Sequence, residues 1–255
     1  MASAVVRGAV SAVWLGRGSV VGCARSERVV ACRGRRAREG GVGWGGRGRR
    51  AMTRTRARAV PAGAGAGAPT VLVPVAHGTE EIEAVVVADV MVRAGCAVTV
   101  ASVETTHQIT ASRGVKLVAD CLMGECTDRA WDLVVLPGGM PGATRLGENA
   151  DLARILKEQH AKAALIGAIC AAPAVVLEAQ GYLDGLHATC HPAFVKDLKD
   201  ASRAGDRVVV SGNVVTSKGP GTAIEFALAL VELVCGKAKR DEVEGPMVTS
   251  AYSGP

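Results

Sequence analysis

Cys170 stands in the run Gly167-Ala168-Ile169-Cys170-Ala171-Ala172-Pro173, which closes the apolar segment Ala163-Ala164-Leu165-Ile166 and opens Ala174-Val175-Val176-Leu177-Glu178-Ala179-Gln180. The order reads as strand, sharp turn, helix. A cysteine at such a turn is lifted clear of the sheet and set beside the first backbone N–H groups of the helix, whose unpaired donors and dipole stabilise a thiolate. Small residues on both sides let the backbone bend around the sulfur, as in a strand-to-helix nucleophile elbow. The plain alternative is an unreactive cysteine filling space in an α/β core.

A working cysteine needs a proton partner, donors for an oxygen that becomes negative, and access. Three other stretches offer these. Leu136-Pro137-Gly138-Gly139 puts two glycines after an apolar run, where the backbone approaches a ligand closely; the Gly139 N–H together with the Ala171 N–H would form an oxyanion hole, although Pro-Gly-Gly alone is a turn signal. Glu83 would face the thiol as an acid whose pKa is raised by burial, able to move a proton between neighbouring carbons of a substrate; by itself it also fits a solvated acid at a helix start, as do Glu80 and Glu81. His191 is the third candidate, as a histidine near the sulfur or as a structural one. In an extended stretch His187, Thr189 and His191 share a face and Cys190 takes the other. A metal site from His187, Cys190 and His191 fits poorly, because that spacing needs a helix and Pro192 follows. Gly219-Pro220-Gly221 is not a dinucleotide fingerprint, no Walker pattern occurs, and no C-x-x-C occurs among the cysteines.

The elements that must carry these residues are short strands alternating with helices. Strands are expected at Thr70–Ala76, Ala97–Val103, Val115–Val118 and Leu133–Pro137, and before Cys170, with a hairpin over Arg207–Ser217 around Gly212-Asn213. Helices are expected from a Thr79 cap to Ala94, weakly at Leu122–Arg129, then at Asn149–Ala161, after the elbow, at Pro192–Leu198 and at Thr222–Cys235. This alternation predicts a parallel sheet covered on both faces, with sites at the carboxyl ends of its strands. Glu83, Gly138, Gly139 and Cys170 then share one rim.

Residues 1–69 differ from the rest: they carry fourteen arginines, no lysine and two acids, with no sustained apolar period. Such an Arg-rich, acid-poor segment reads as an organelle transit peptide followed by an Ala/Gly/Pro linker, with a chloroplast preferred over a mitochondrion and a basic nucleic-acid arm as the alternative. The whole chain has 30 basic and 24 acidic residues; residues 70–255 keep 16 and 22, a balance of −6. An acidic domain with few aromatic residues offers no phosphate-binding face or stacking platform, so no nucleic-acid partner is expected. No apolar stretch reaches the roughly eighteen residues of a membrane helix, so no membrane partner is expected either.

With these pieces in order the chain resembles the DJ-1/PfpI superfamily, and within it the DJ-1 branch. The resemblance spans about residues 70–249, leaving 250–255 as a tail. It rests on Gly78-Thr79-Glu80-Glu81-Ile82-Glu83, Asp132-Leu133-Val134-Val135-Leu136-Pro137-Gly138-Gly139, Ile155-Leu156-Lys157-Glu158-Gln159, Ala168-Ile169-Cys170-Ala171-Ala172-Pro173, His191-Pro192 and Thr216-Ser217-Lys218-Gly219-Pro220-Gly221-Thr222. It implies a flavodoxin-like α/β sandwich, a homodimer, and a Cys170 hydrogen-bonded by a protonated Glu83 with His191 close by. It also implies a cofactor-free and metal-free glyoxalase III-type lyase, of the D-lactate dehydratase class, that takes a small dicarbonyl substrate: methylglyoxal to lactate, glyoxal to glycolate. Protein deglycase activity, oxidation of Cys170 to a sulfinate and chaperone-like behaviour belong to the same resemblance. Two departures bear on function. Ala171 occupies the place of the histidine that follows the cysteine in the protease branch, which argues against peptide hydrolysis, and Ala172 replaces a glycine. The chain carries one copy of a domain that plant relatives often carry twice, so a dimer would form between chains.

Overall fold

The computed structural model describes residues 67–249. The leader through residue 66 and the tail 250–255 lie outside the described residues, and with them the transit-peptide reading. In chain order the elements are β1 (Thr70–Val75), α1 (Glu81–Arg93), β2 (Ala97–Ser102), β3 (Gln108–Thr110), β4 (Lys116–Val118), β5 (Cys121–Leu122), β6 (Leu133–Leu136), α2 (Gly142–Glu148), α3 (Ala150–Ala161), β7 (Leu165–Ile169), β8 (Val208–Ser211), β9 (Val214–Ser217), α4 (Ala223–Cys235) and α5 (Lys237–Met247). Seven strands form one sheet in the order β5-β2-β1-β6-β7-β9-β8, parallel except for the β8–β9 hairpin, while β3 and β4 pair separately. This is the parallel sheet covered on both faces that the alternation predicts, and the flavodoxin-like α/β sandwich that the resemblance implies.

The strands are apolar at nearly every position because both faces are covered, and residue parity decides which layer each side chain joins. Val71, Val73, Leu133 and Val135 pack with Val87 and Met91 of α1, Phe226 and Leu230 of α4, and Val243 of α5. Leu72, Val134 and Leu136 pack instead with Leu146 of α2 and Leu152, Ile155 and Leu156 of α3. Each fully buried side chain of this size contributes roughly 1.5–3 kcal/mol, so the two layers together fix the sheet between them. The β1–β6 ladder consists of Val71↔Leu133 and Leu72↔Val134 and ends before Pro74, whose missing N–H would leave a gap in it.

Parallel pairing aligns the strand ends. Leu136 sits opposite Ala168, and Ile169 opposite Ser217. The segments that follow β1, β6, β7 and β9 therefore emerge at one edge, and those segments carry the candidate residues.

Several elements differ from expectation. The α1 cap is Glu80, whose side chain accepts from the Glu83 N–H, while the Thr79 hydroxyl is turned back to the Ala76 N–H. The weak helix expected at 122–129 is the short strand β5 followed by a 3-10 turn at Met123–Cys126, whose buried Met123 and Cys126 hold it down. The helix expected at Pro192 is a 3-10 turn, Pro192–Asp197. The helix after the elbow is a wide π-type turn over Pro173–Glu178, with the Ala179 N–H reaching Ala174 O, five residues back. The helices α2 and α5 lack a sequence signal: α2 contains Gly142 and Gly147, and α5 ends through Gly245-Pro246 with only Val243 buried.

Candidate active site

Cys170 is the residue directly after β7, and its backbone lies in the left-handed region at φ 65°. A non-glycine residue there costs on the order of 1–3 kcal/mol, so surrounding bonds must hold it. They do. Its N–H donates to Ser217 O over 3.0 Å, and its carbonyl accepts from the His191 N–H over 2.8 Å. The residue is 9 % exposed, too little for a freely solvated thiol.

Glu83 enters from the first turn of α1 and is fully buried. Its Oε2 accepts from the Gly138 N–H over 2.7 Å. Its Oε1 is buried without a geometric hydrogen-bond partner; the Cys170 thiol is the neighbour that interacts with this carboxyl. Burial pushes Glu83 up to about 7, and the charge of Glu80 adds to the rise; the Gly138 N–H and Cys170 oppose it. Burial and the Glu83 carboxylate push Cys170 up to about 12, against the pull of the Gly139 and Ala171 N–H groups. The sequence reading of a thiolate stabilised by helix-start donors therefore has the right donors but the wrong balance, because burial and the acid outweigh them. Between these two values the pair holds one proton and one negative charge between a sulfur and a carboxyl.

The two glycines divide the work. At Gly138 an added Cβ would stand 2.6 Å from Cys170 Cβ and 3.0 Å from Glu83 Oε2, so only glycine lets this strand end pass between nucleophile and acid. Its N–H is taken by Glu83, so Gly138 holds the acid. Gly139, at φ 84°, turns its N–H to the Cys170 sulfur beside that of Ala171. A side chain at Gly139 would collide with the Gly78 carbonyl and Glu80 N.

His191 caps the Pro192 turn, its Nδ1 accepting from the Ala193 N–H over 3.2 Å. A neutral ring so placed carries its proton on Nε2. The ring edge and Glu83 Oε1 both lie within about 4 Å of where a Cβ on Gly219 would be: 3.6 Å for His191 Cδ2 and 4.0 Å for Glu83 Oε1. Cys190 is fully buried in the second layer, with Sγ against His191 O, so it packs. Among the described residues no group of three or more His, Cys, Asp or Glu side chains is arranged to hold a metal ion.

Residue-by-residue chemistry overlooked Ser217 and Gly219. The Ser217 hydroxyl joins Thr222 Oγ1 over 2.6 Å and donates to Arg207 O over 2.8 Å, and the Gly219 N–H donates to Thr222 Oγ1 over 3.1 Å. This network fixes the carbonyl that anchors the elbow. The available signal was position: Ser-Lys-Gly-Pro-Gly ends a strand on the same rim.

A buried acid facing an elbow cysteine at the carboxyl edge of a mostly parallel sheet defines a class of cysteine-centred α/β proteins. Residues 69–233 match the model of the DJ-1/PfpI family, and the chain belongs to that family. It is 46% identical over 185 residues to the Arabidopsis thaliana protein named DJ-1 homolog B, a match that covers 72% of this chain and 42% of that protein; the chain thus spans less than half the length of that relative. It is 38% identical to a Caenorhabditis elegans protein named glutathione-independent glyoxalase DJR-1.2, over 66% of this chain and 89% of that one. The solved structure of oxidized Toxoplasma gondii DJ-1 superposes with a TM-score of 0.70 at 45% identity, covering 72% of this chain and all of that one.

Proposed function

We propose that the protein is a glutathione-independent glyoxalase that converts methylglyoxal to lactate and glyoxal to glycolate. The observation that carries this reading is the buried Glu83 carboxyl, held by Gly138 and left with Oε1 free beside Cys170. In the proposed reaction the Cys170 sulfur adds to the aldehyde carbon as Glu83 accepts the thiol proton. The new oxyanion is met by the Gly139 and Ala171 N–H groups and takes that proton back from Glu83 to become a hemithioacetal hydroxyl. Glu83, ionised again, takes the proton from the former aldehyde carbon and returns it to the neighbouring carbon through an enediol, while the hydroxyl proton passes to the neighbouring oxygen with His191 as the assisting group. The resulting thioester is hydrolysed by water, which frees lactate and restores the thiol. A carboxyl with a pKa near 7 suits both directions of proton transfer at neutral pH. The name of the Caenorhabditis elegans relative supports the same chemistry, and protein deglycase activity would use the same nucleophile on an adduct of the dicarbonyl.

The test is lactate formed over many turnovers from methylglyoxal by the full chain, Cys170→Ser and Glu83→Gln, without glutathione or metal. Lactate well beyond one equivalent from the wild type alone establishes the reading; a halt near one equivalent sinks it.

A second reading is favoured by the two N–H groups at the sulfur, which would equally receive a sulfinate oxygen, and by the oxidized state of the similar Toxoplasma gondii structure. Cys170 would then act as a redox sensor with chaperone-like output. Mild peroxide treatment followed by intact-mass and partner-binding measurements separates it from the enzyme reading.

We also infer a homodimer and import into a chloroplast, with the mitochondrion as alternative. The dimer is supported by Ile82, Val85 and Val92, which lie half-exposed on one face of α1. Import is supported by the arginine-rich composition of residues 1–69; fusing that segment to a fluorescent reporter and locating it in plant cells tests it.

A further inference from the structure

Cys96 and Cys235 meet at one end of the first packing layer. Cys96 lies in the turn from α1 to β2, and Cys235 is the last residue of α4. Their sulfurs are 3.6 Å apart although 139 positions separate them in the chain. That is contact distance for two sulfurs, and it requires both side chains to point at each other. We propose that Cys96 and Cys235 form a reversible intramolecular disulfide when the protein meets a peroxide, a modification site separate from Cys170.

Two further observations support this site. Gly95 at φ 84° and Gly236 at φ 89° flank the pair, so each cysteine adjoins a residue whose backbone tolerates adjustment while the sulfurs close to a bond of about 2.05 Å. Cys96 is buried and Cys235 is partly exposed, which gives the pair an entry point and a protected partner. Cys235, the more exposed of the two, is the sulfur that meets the oxidant first.

The chemistry balances with hydrogen peroxide as the oxidant. The Cys235 sulfur, losing its proton, attacks the peroxide O–O bond and takes one oxygen as a sulfenic acid; the other oxygen leaves with the proton as water. The Cys96 sulfur, losing its proton, then attacks the Cys235 sulfur and displaces hydroxide, which leaves with that proton as a second water. The two sulfurs give up two electrons and the peroxide accepts both. The product ties the α1–β2 turn to the end of α4 and closes the 139-position separation. Cys121 and Cys126 also touch, at 3.4 Å, but they are five positions apart, and closing so short a loop constrains the chain far less.

The experiment treats the fully reduced whole chain with stoichiometric hydrogen peroxide, blocks remaining thiols with an alkylating agent and maps peptides without reduction. The expected result is a Cys96–Cys235 linked peptide, lighter than its two parts by two hydrogens and removed by dithiothreitol. Tm should rise by about 5–10 °C on oxidation. Cys235→Ser and Cys96→Ala should lose both the link and the rise, and Cys170→Ser should keep both. Recovery of Cys235 as a sulfinic acid or as an alkylated thiol with Cys96 free, or linkage of either to a different cysteine, overturns the proposal. The wild-type peptide map decides the question even where a variant folds poorly.

Discussion

The Gly138 N–H donates to Glu83 Oε2 over 2.7 Å, and that single bond fixes a fully buried carboxyl while its other oxygen stays free beside Cys170. A backbone donor one strand away thus sets the orientation of the acid that α1 supplies. The arrangement makes the acid sensitive to changes on either element.

Glu83→Gln keeps an oxygen to accept the Gly138 N–H but cannot give or take a proton. Lactate formation should fall by about 10²–10⁴-fold. Near-unchanged circular dichroism and thermal unfolding would show that the fold is intact; a variant with more than a tenth of wild-type turnover would remove Glu83 from the mechanism.

Glu83 also makes stability depend on pH. Its pKa is raised from 4.5 to about 7 on folding, so the folded chain binds this proton more tightly than the unfolded one. Stability contributed by the neutral carboxyl is fully present below about 4.5, declines as pH rises through 7, and is level above that. The loss is about 3 kcal/mol. Glu83→Gln should therefore gain stability relative to wild type between pH 4.5 and 7, as read from urea midpoints. A constant difference across that range would contradict the shift.

Gly138→Ala places a methyl group 2.6 Å from Cys170 Cβ and 3.0 Å from Glu83 Oε2. Overpacking of this kind costs about 1–3 kcal/mol, and the displaced pair should lose at least tenfold in kcat with a smaller change in KM. An active, fully stable Gly138→Ala would show that the passage between nucleophile and acid is wider than the structure has it.

Val85 is 51 % exposed, next to Ile82 at 50 % and Val92 at 58 % on the same helix face. Val85→Glu should shift the protein from dimer to monomer in analytical ultracentrifugation while leaving the monomer folded. If the wild type sediments as a monomer, the dimer inference fails outright.

Much of this architecture was legible in the sequence because strand-forming runs such as Leu133–Leu136 are apolar at every position and the elbow turn carries small residues around one cysteine. Parallel pairing then brings the segments after β1, β6, β7 and β9 to one edge without any further assumption. Less was legible where structure depends on distant contacts. The 122–129 stretch has helical composition, yet pairing of Cys121 and Leu122 with Ala101 and Ser102 draws its start into the sheet. The helix α5 has a single buried residue and a proline, so no period marks it. At the site, Cys170, Glu83, Gly139, Ala171 and His191 fall together, but the use of the Gly138 N–H to hold Glu83, and the balance that keeps Cys170 a weak acid, depend on burial, which composition does not display.

The parity rule that sorts each strand's side chains into two layers has a last consequence at the elbow. Ile169, Cys170 and Ala171 belong to the layer of α1, α4 and α5, whereas Ala172 and Ala174 belong to that of α2 and α3. The turn sends side chains into both layers, Val175 returning to the first, so the nucleophile sits on a seam between two packed halves. A substitution deep in either half, far from any substrate, then has a mechanical route to the sulfur, and tuning of the reaction can come from both sides of the sheet.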